Sequence, residues 1–84
     1  MNANIFAATG AGINRRPYRI REFLRSKGLI MKDVADALAL SHSVVSETVR
    51  GVKNNRKVLG YLRDLGCPRG DLSLPEDMKN EEAA

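Results

Sequence analysis

The chain has 84 residues, 14 Lys+Arg against 10 Asp+Glu, a formal net charge of +4, one Cys and one His. That length is one small domain with a thin core, and a single Cys and a single His exclude a disulfide framework and a zinc site built from this chain alone. No run of about 18 apolar residues occurs, which excludes a membrane-spanning helix.

The opening stretch MNANIFAATGAGIN carries no basic residue ahead of its weakly apolar part and makes a poor signal peptide. A cytoplasmic protein is expected, and Cys67 is compatible with a reducing compartment. Charge is unevenly placed. Residues 15–70 hold 13 Lys+Arg and five acids, residues 71–84 hold one Lys and five acids, and residues 1–14 hold none. A basic middle with an acidic end fits a nucleic-acid binder with a solvating tail, and it also fits the ordinary surface of a small soluble protein.

Residues 1–14 are rich in Ala, Asn and Gly, so a disordered N-terminal arm is expected. Arg15 and Arg16 close that arm. They read either as contacts to phosphates or a minor groove, or as part of a solubilising tail. A first helix is predicted from Pro17, whose missing N–H costs nothing in a first turn. Its buried stripe is Ile20, Phe23 and Leu24, with Tyr18 covering one edge; Arg19, Arg21, Arg25 and Lys27 face outward. Gly28 ends it, and Leu29 packs back.

A second helix is predicted from Met31 to Leu40, with Val34, Ala35 and Leu38 on one face. It lacks an N-cap of the usual kind, since Ile30 and Met31 stand where Ser, Thr, Asp or Asn is expected. Ser41 should cap a third helix, with Val45, Thr48, Val49 and Val52 inside and His42, Ser43, Ser46, Glu47 and Arg50 outside, up to Gly51. Lys53-Asn54-Asn55 reads as a loop whose Asn caps a fourth helix with a Val58, Leu59, Leu62 and Leu65 stripe. Gly66 and Pro68 stop that helix, and Cys67 between them reads as a small buried residue. Leu72-Ser73-Leu74 alternates as an extended segment would, and residues 76–84 form an acidic tail. The prediction is a small all-α domain over residues 15–68, of four to five helices, between a flexible arm (1–14) and an extended acidic tail (69–84).

Two short helices and a tight turn within residues 31–50 of a basic chain predict a helix-turn-helix. Val34-Ala35-Asp36, Leu38, Leu40-Ser41, Ser43, Val45-Ser46 and Arg50-Gly51, followed by VLGYLRDLGC, resemble the phage-repressor-like regulators of the lambda repressor, Cro and Xre type. The Ner-like phage regulators are close cousins. The likeness covers roughly residues 17–67 and implies a lambda-repressor-like bundle. Three departures stand out, the first being that the proline-interrupted stretch from Pro68 to Pro75 is expected to replace that family's fifth helix and so to alter its usual route to a dimer. Ala39 occupies the turn position where that family often has Gly, so a backbone that accepts a Cβ, still helical, is expected there. Met31 stands where that family often has Gln and cannot donate to a phosphate.

The resemblance implies a transcriptional regulator, of repressor type, binding a double-stranded operator as a homodimer. It places His42, Ser43, Val44, Ser46 and Glu47 at base edges. Small hydroxyls suit close approach to a groove, and Val44 suits a thymine methyl or the core. Glu47 either accepts from a cytosine amino group or pairs with Arg50 or Lys53. Arg15, Arg16, Arg19, Arg50, Lys53, Asn54, Arg56 and Lys57 are the candidates for phosphate contacts, which give affinity and salt dependence but no sequence information.

No nucleophile–base–acid set, phosphate loop or metal cluster is present, so no enzyme, cofactor, metal or small-molecule ligand is expected. Arg69-Gly70-Asp71 is a chance tripeptide. The competing reading is a helical protein-interaction module, of antitoxin or anti-repressor type, that keeps the fold without DNA binding.

Overall fold

A computed structural model describes residues 10–75 and Met78. Over that span the chain is all-α: a 3₁₀ turn at Gly10–Asn14, then α1 (Pro17–Ser26), α2 (Met31–Leu38), α3 (His42–Val49), α4 (Arg56–Leu65) and α5 (Arg69–Leu72). No helix among the described residues is long and apolar enough to cross a membrane. The expected mobility of residues 1–9, 76, 77 and 79–84 lies outside the described residues.

Each helix begins and ends for a local reason. Proline sits in the first turn of α1. The Ser41 hydroxyl accepts from the Val44 N–H at 3.3 Å to cap α3, and Asn55 Oδ1 accepts from Lys57 and Val58 N–H at 3.0 and 3.1 Å to cap α4. At α2, where the usual cap residue is missing, Asp33 reaches back from one turn inside and accepts from the Ile30 N–H at 2.8 Å. This is half of a capping box.

The first four helices end in one way. The Leu29, Leu40, Val52 and Cys67 N–H groups donate back across a turn to the carbonyls of Leu24, Ala35, Glu47 and Leu62. The residue before each donor is left-handed, which is the Schellman arrangement. Three of those residues are glycines (Gly28, Gly51, Gly66) and the fourth is Ala39, at φ 57° and ψ 41°. The helical backbone expected at Ala39 is therefore corrected. The turn needs positive φ whether or not a Cβ is present, because only that geometry sends Leu40 back onto the core and frees Ser41 to start α3. It also ends α2 at Leu38, two residues before the predicted Leu40.

Stripes from all five helices meet in one core: Ile20 and Leu24, Val34 and Ala35, Val45 and Val49, Val58, Leu59 and Leu62, then Leu72 with Cys67, Leu74 and Met78. Phe23, Leu29, Met31, Leu38, Leu40 and Leu65 are half-buried against it. α2 packs chiefly on α3, while α1 packs on α5. Tyr18, expected to cover an edge of α1, is 79% exposed.

Both ends of the domain reach further than predicted. Residues 10–14, placed in the arm, form the 3₁₀ turn and lie on α5. Residues 69–72, placed in an extended tail, form α5. Leu72 and Leu74 do share a side, but the device is a single helical turn followed by Ser73 at φ 48°. A helix of four residues has no stability of its own. Burial of Leu72, Leu74 and Met78, about 1.5–3 kcal/mol each as an upper estimate, holds this end in place.

Ala39→Gly should stabilise the fold by about 1 kcal/mol, because it removes a Cβ from left-handed backbone at an exposed site where no packing is lost. Thermal unfolding should show a rise of about 4–8 °C. A second outcome concerns Cys67, whose thiol is pushed up to about 11 by burial and by the nearby Asp71 carboxylate. The unfolded thiol ionises first, so the stability this group contributes is whole below about pH 9 and is lost as pH rises toward 11. The margin in melting temperature of the native chain over Cys67→Ala should narrow across that window.

Candidate nucleic-acid interface

α2 and α3, eight residues each, are joined by Ala39, Leu40 and Ser41 alone. On α3, Val45, Thr48 and Val49 are buried, and the Thr48 hydroxyl is occupied by the Val44 carbonyl at 2.8 Å. At 100° per residue, Ser43, Glu47 and Arg50 then face directly away from the core. His42, Ser43 and Arg50 are exposed, and Val44, Ser46 and Glu47 are half-buried. Of the five residues predicted for base edges, Ser43 and Glu47 share the open side with Arg50, Val44 and Ser46 flank it, and His42 stands in the first turn nearly in line with buried Val49.

Glu47 sits in the middle of that side, and Lys53 Nζ lies 3.1 Å from its carboxylate. The loop after α3 turns back sharply enough to allow this, since the Lys53 N–H donates to the Glu47 carbonyl at 3.2 Å. The pair offsets an anion that would repel phosphates, and it is Lys53, not Arg50, that meets the carboxylate. Arg56 and Lys57 are exposed in the first turn of α4, directly after this loop. Arg16 and Arg19 are exposed at the start of α1, whose main neighbour is α5.

Arg15 is elsewhere. Predicted to meet phosphates, it is 5% exposed and engages protein oxygens with all of its N–H groups. Nε donates to the Leu72 carbonyl at 2.5 Å, Nη1 to the carbonyls of Thr48 and Lys53 at 2.9 and 3.0 Å, and Nη2 to Asn54 Oδ1 and the Ser73 carbonyl at 2.8 and 3.0 Å. None of these acceptors is a carboxylate. Burial lowers the guanidinium's pKa, but a guanidinium does not deprotonate in proteins. The cation is matched instead by carbonyl dipoles, two of them at the ends of α3 and α5, where helix dipoles favour positive charge.

Asn54, also predicted on phosphate, is half-buried with its Oδ1 given to Arg15. Beside this knot, Gly12 and Gly51 touch backbone to backbone. A Cβ on either would fall 2.1–2.2 Å from the other's carbonyl oxygen. The residues that fix the end of α3 are thus Arg15, Gly12, Gly51 and Asn54. Spacing gave no signal for Arg15, because four of its five acceptors are main-chain carbonyls.

Among the described residues no group of His, Cys, Asp and Glu is placed to hold a metal, and no buried side-chain polar atom lacks a hydrogen-bond partner. Replacing Arg15 with Met would strand several buried carbonyls. The urea midpoint of Arg15→Met should correspond to a loss of about 3 kcal/mol or more. Arg15→Lys, with fewer donors and no planar fork, should fall between the two. Comparison of the chain with family models, with curated proteins and with solved structures returns no match in any of the three.

Proposed function

We propose that this protein is a sequence-specific double-stranded DNA-binding regulator that reads the major groove with α3. The observation that carries the reading is the open side of α3, opposite its buried Val45, Thr48 and Val49 and delivered by a three-residue turn from α2. Exposed cations follow it at Arg50, Lys53, Arg56 and Lys57. A helix presented in this way fits a groove about 12 Å wide. The likeness of residues 17–67 to phage-repressor-type regulators supports the same assignment.

In this reading His42, Ser43, Val44 and Ser46 face base edges, and Ser43 and Ser46 are small enough to let the helix sit deep. Glu47, tied to Lys53, helps to hold the loop more than it reads a base. Arg16, Arg19, Arg50, Arg56 and Lys57 supply phosphate contacts. Arg15 and Asn54 act from behind by fixing the end of α3. A homodimer in the cytoplasm, bound as a repressor to a two-fold operator, completes the proposal.

Fluorescence anisotropy with operator selected from a random duplex pool, and with random duplex, tests this across a range of salt. Affinity should fall steeply with salt. Arg50→Ala should weaken operator and random duplex by similar factors and reduce the salt slope by about 1. Ser43→Ala and Val44→Ala should instead change the preferred sequence at a discrimination of about 1 kcal/mol. A flat salt response would overturn the proposal and favour a protein-interaction module.

A further inference from the structure

A cavity of about 370 Å³ lies at the junction of α1 and α2, on a different part of the surface from the open side of α3. It is lined by Arg21, Leu24, Arg25, Leu29, Ile30 and Met31. Its size falls within the range of small-molecule sites. Leu24 belongs to the core, Leu29 and Met31 are packed against it, and Ile30 stands 62% exposed at the mouth.

The polar lining is all of one sign. Arg21 and Arg25 are four residues apart on α1 and so share a face, an arrangement that like charges disfavour. Both are exposed, and among the described residues neither side chain has an ion-pair or hydrogen-bond partner. The nearest acid in sequence on the α2 side, Asp33, is turned to the Ile30 N–H. Glu22, next to Arg21 and three residues before Arg25 on α1, is exposed and forms an ion pair with neither. An apolar hollow beside two uncompensated guanidinium groups is complementary to a small molecule with an anionic head and an apolar body.

We propose that this cavity binds a small amphipathic monocarboxylate, of the medium-chain fatty acid or aryl acid class. Arg21 and Arg25 share the carboxylate through charge-assisted hydrogen bonds, and the apolar body lies against Leu29, Ile30 and Met31. The site stands apart from the DNA reading and does not depend on it.

The test is an amide NMR titration of the full chain with octanoate kept below its micelle concentration. Acetate and inorganic phosphate serve as comparison ligands. Octanoate should give saturable shifts confined to residues 21–31, while acetate and phosphate, which cannot use the apolar walls, give none that saturate there. Arg21→Gln with Arg25→Gln should weaken octanoate by about tenfold. Ile30→Ser should weaken it as well. All three side chains are exposed, so the variants keep the native spectrum elsewhere, and that spectrum is the control for folding. Absence of saturable octanoate binding, equal affinity in the variants, or phosphate binding as tight as octanoate would each overturn the proposal.

Discussion

Arg15 ties together four parts of the chain with polar contacts that the apolar core does not supply. Its five donors reach the end of α3, the loop after α3, the end of α5 and the residue beyond it. Burying a cation is costly, and this one is offset only because every donor finds an oxygen and two of the carbonyls terminate helices. The direction of α3 in the domain therefore depends on a residue that precedes the first helix. The Gly12–Gly51 contact belongs to the same constraint, since the 3₁₀ turn that leads into Arg15 approaches the end of α3 closely only where neither residue has a Cβ.

This arrangement separates the two halves of the helix-turn-helix pair by what holds them. α2 is held by its apolar face and by the Asp33 cap, and it ends in a left-handed alanine that departs from the glycine used at the ends of α1, α3 and α4. α3 is held by its Val45 and Val49 face at one side and by the Arg15 knot at its end. Its open side carries Ser43, the Glu47–Lys53 pair and Arg50, none of which belongs to the core. A short helix fixed at its back and end presents a surface whose side chains can be exchanged with little effect on folding, which is what a recognition surface requires.

The two functional surfaces proposed use positive charge differently. Around α3 the cations are dispersed over the helix end, the loop and the first turn of α4, and one of them is matched by Glu47. At the α1–α2 junction Arg21 and Arg25 stand together beside an apolar hollow, and no acid among the described residues pairs with either. Dispersed cations suit a long polyanion, and a close pair suits one compact anionic head.

Most of the helical plan was legible from residues 17–67. The stripes at Ile20 and Leu24, Val34 and Ala35, Val45 and Val49, and Val58, Leu59 and Leu62 are all buried where periodicity placed them, and Ser41 and Asn55 cap as their side chains predicted. These are local properties, fixed by spacing along a helix and by hydrogen bonds that span three residues. The open side of α3 followed from the same phase. The role of Arg15 did not, because a guanidinium beside a helix start looks the same in sequence whether it meets solvent, phosphate or carbonyls from residues 48, 53, 72 and 73. Ala39 misled for a related reason: its own preference is right-handed, and the packing of Leu40 against the core overrides it. The ends of the domain, from Gly10 to Arg16 and from Arg69 to Pro75 with Met78, were likewise decided by tertiary contact. Their segments are too short to be stable alone, and they acquire structure only from the core and backbone acceptors that the other helices provide.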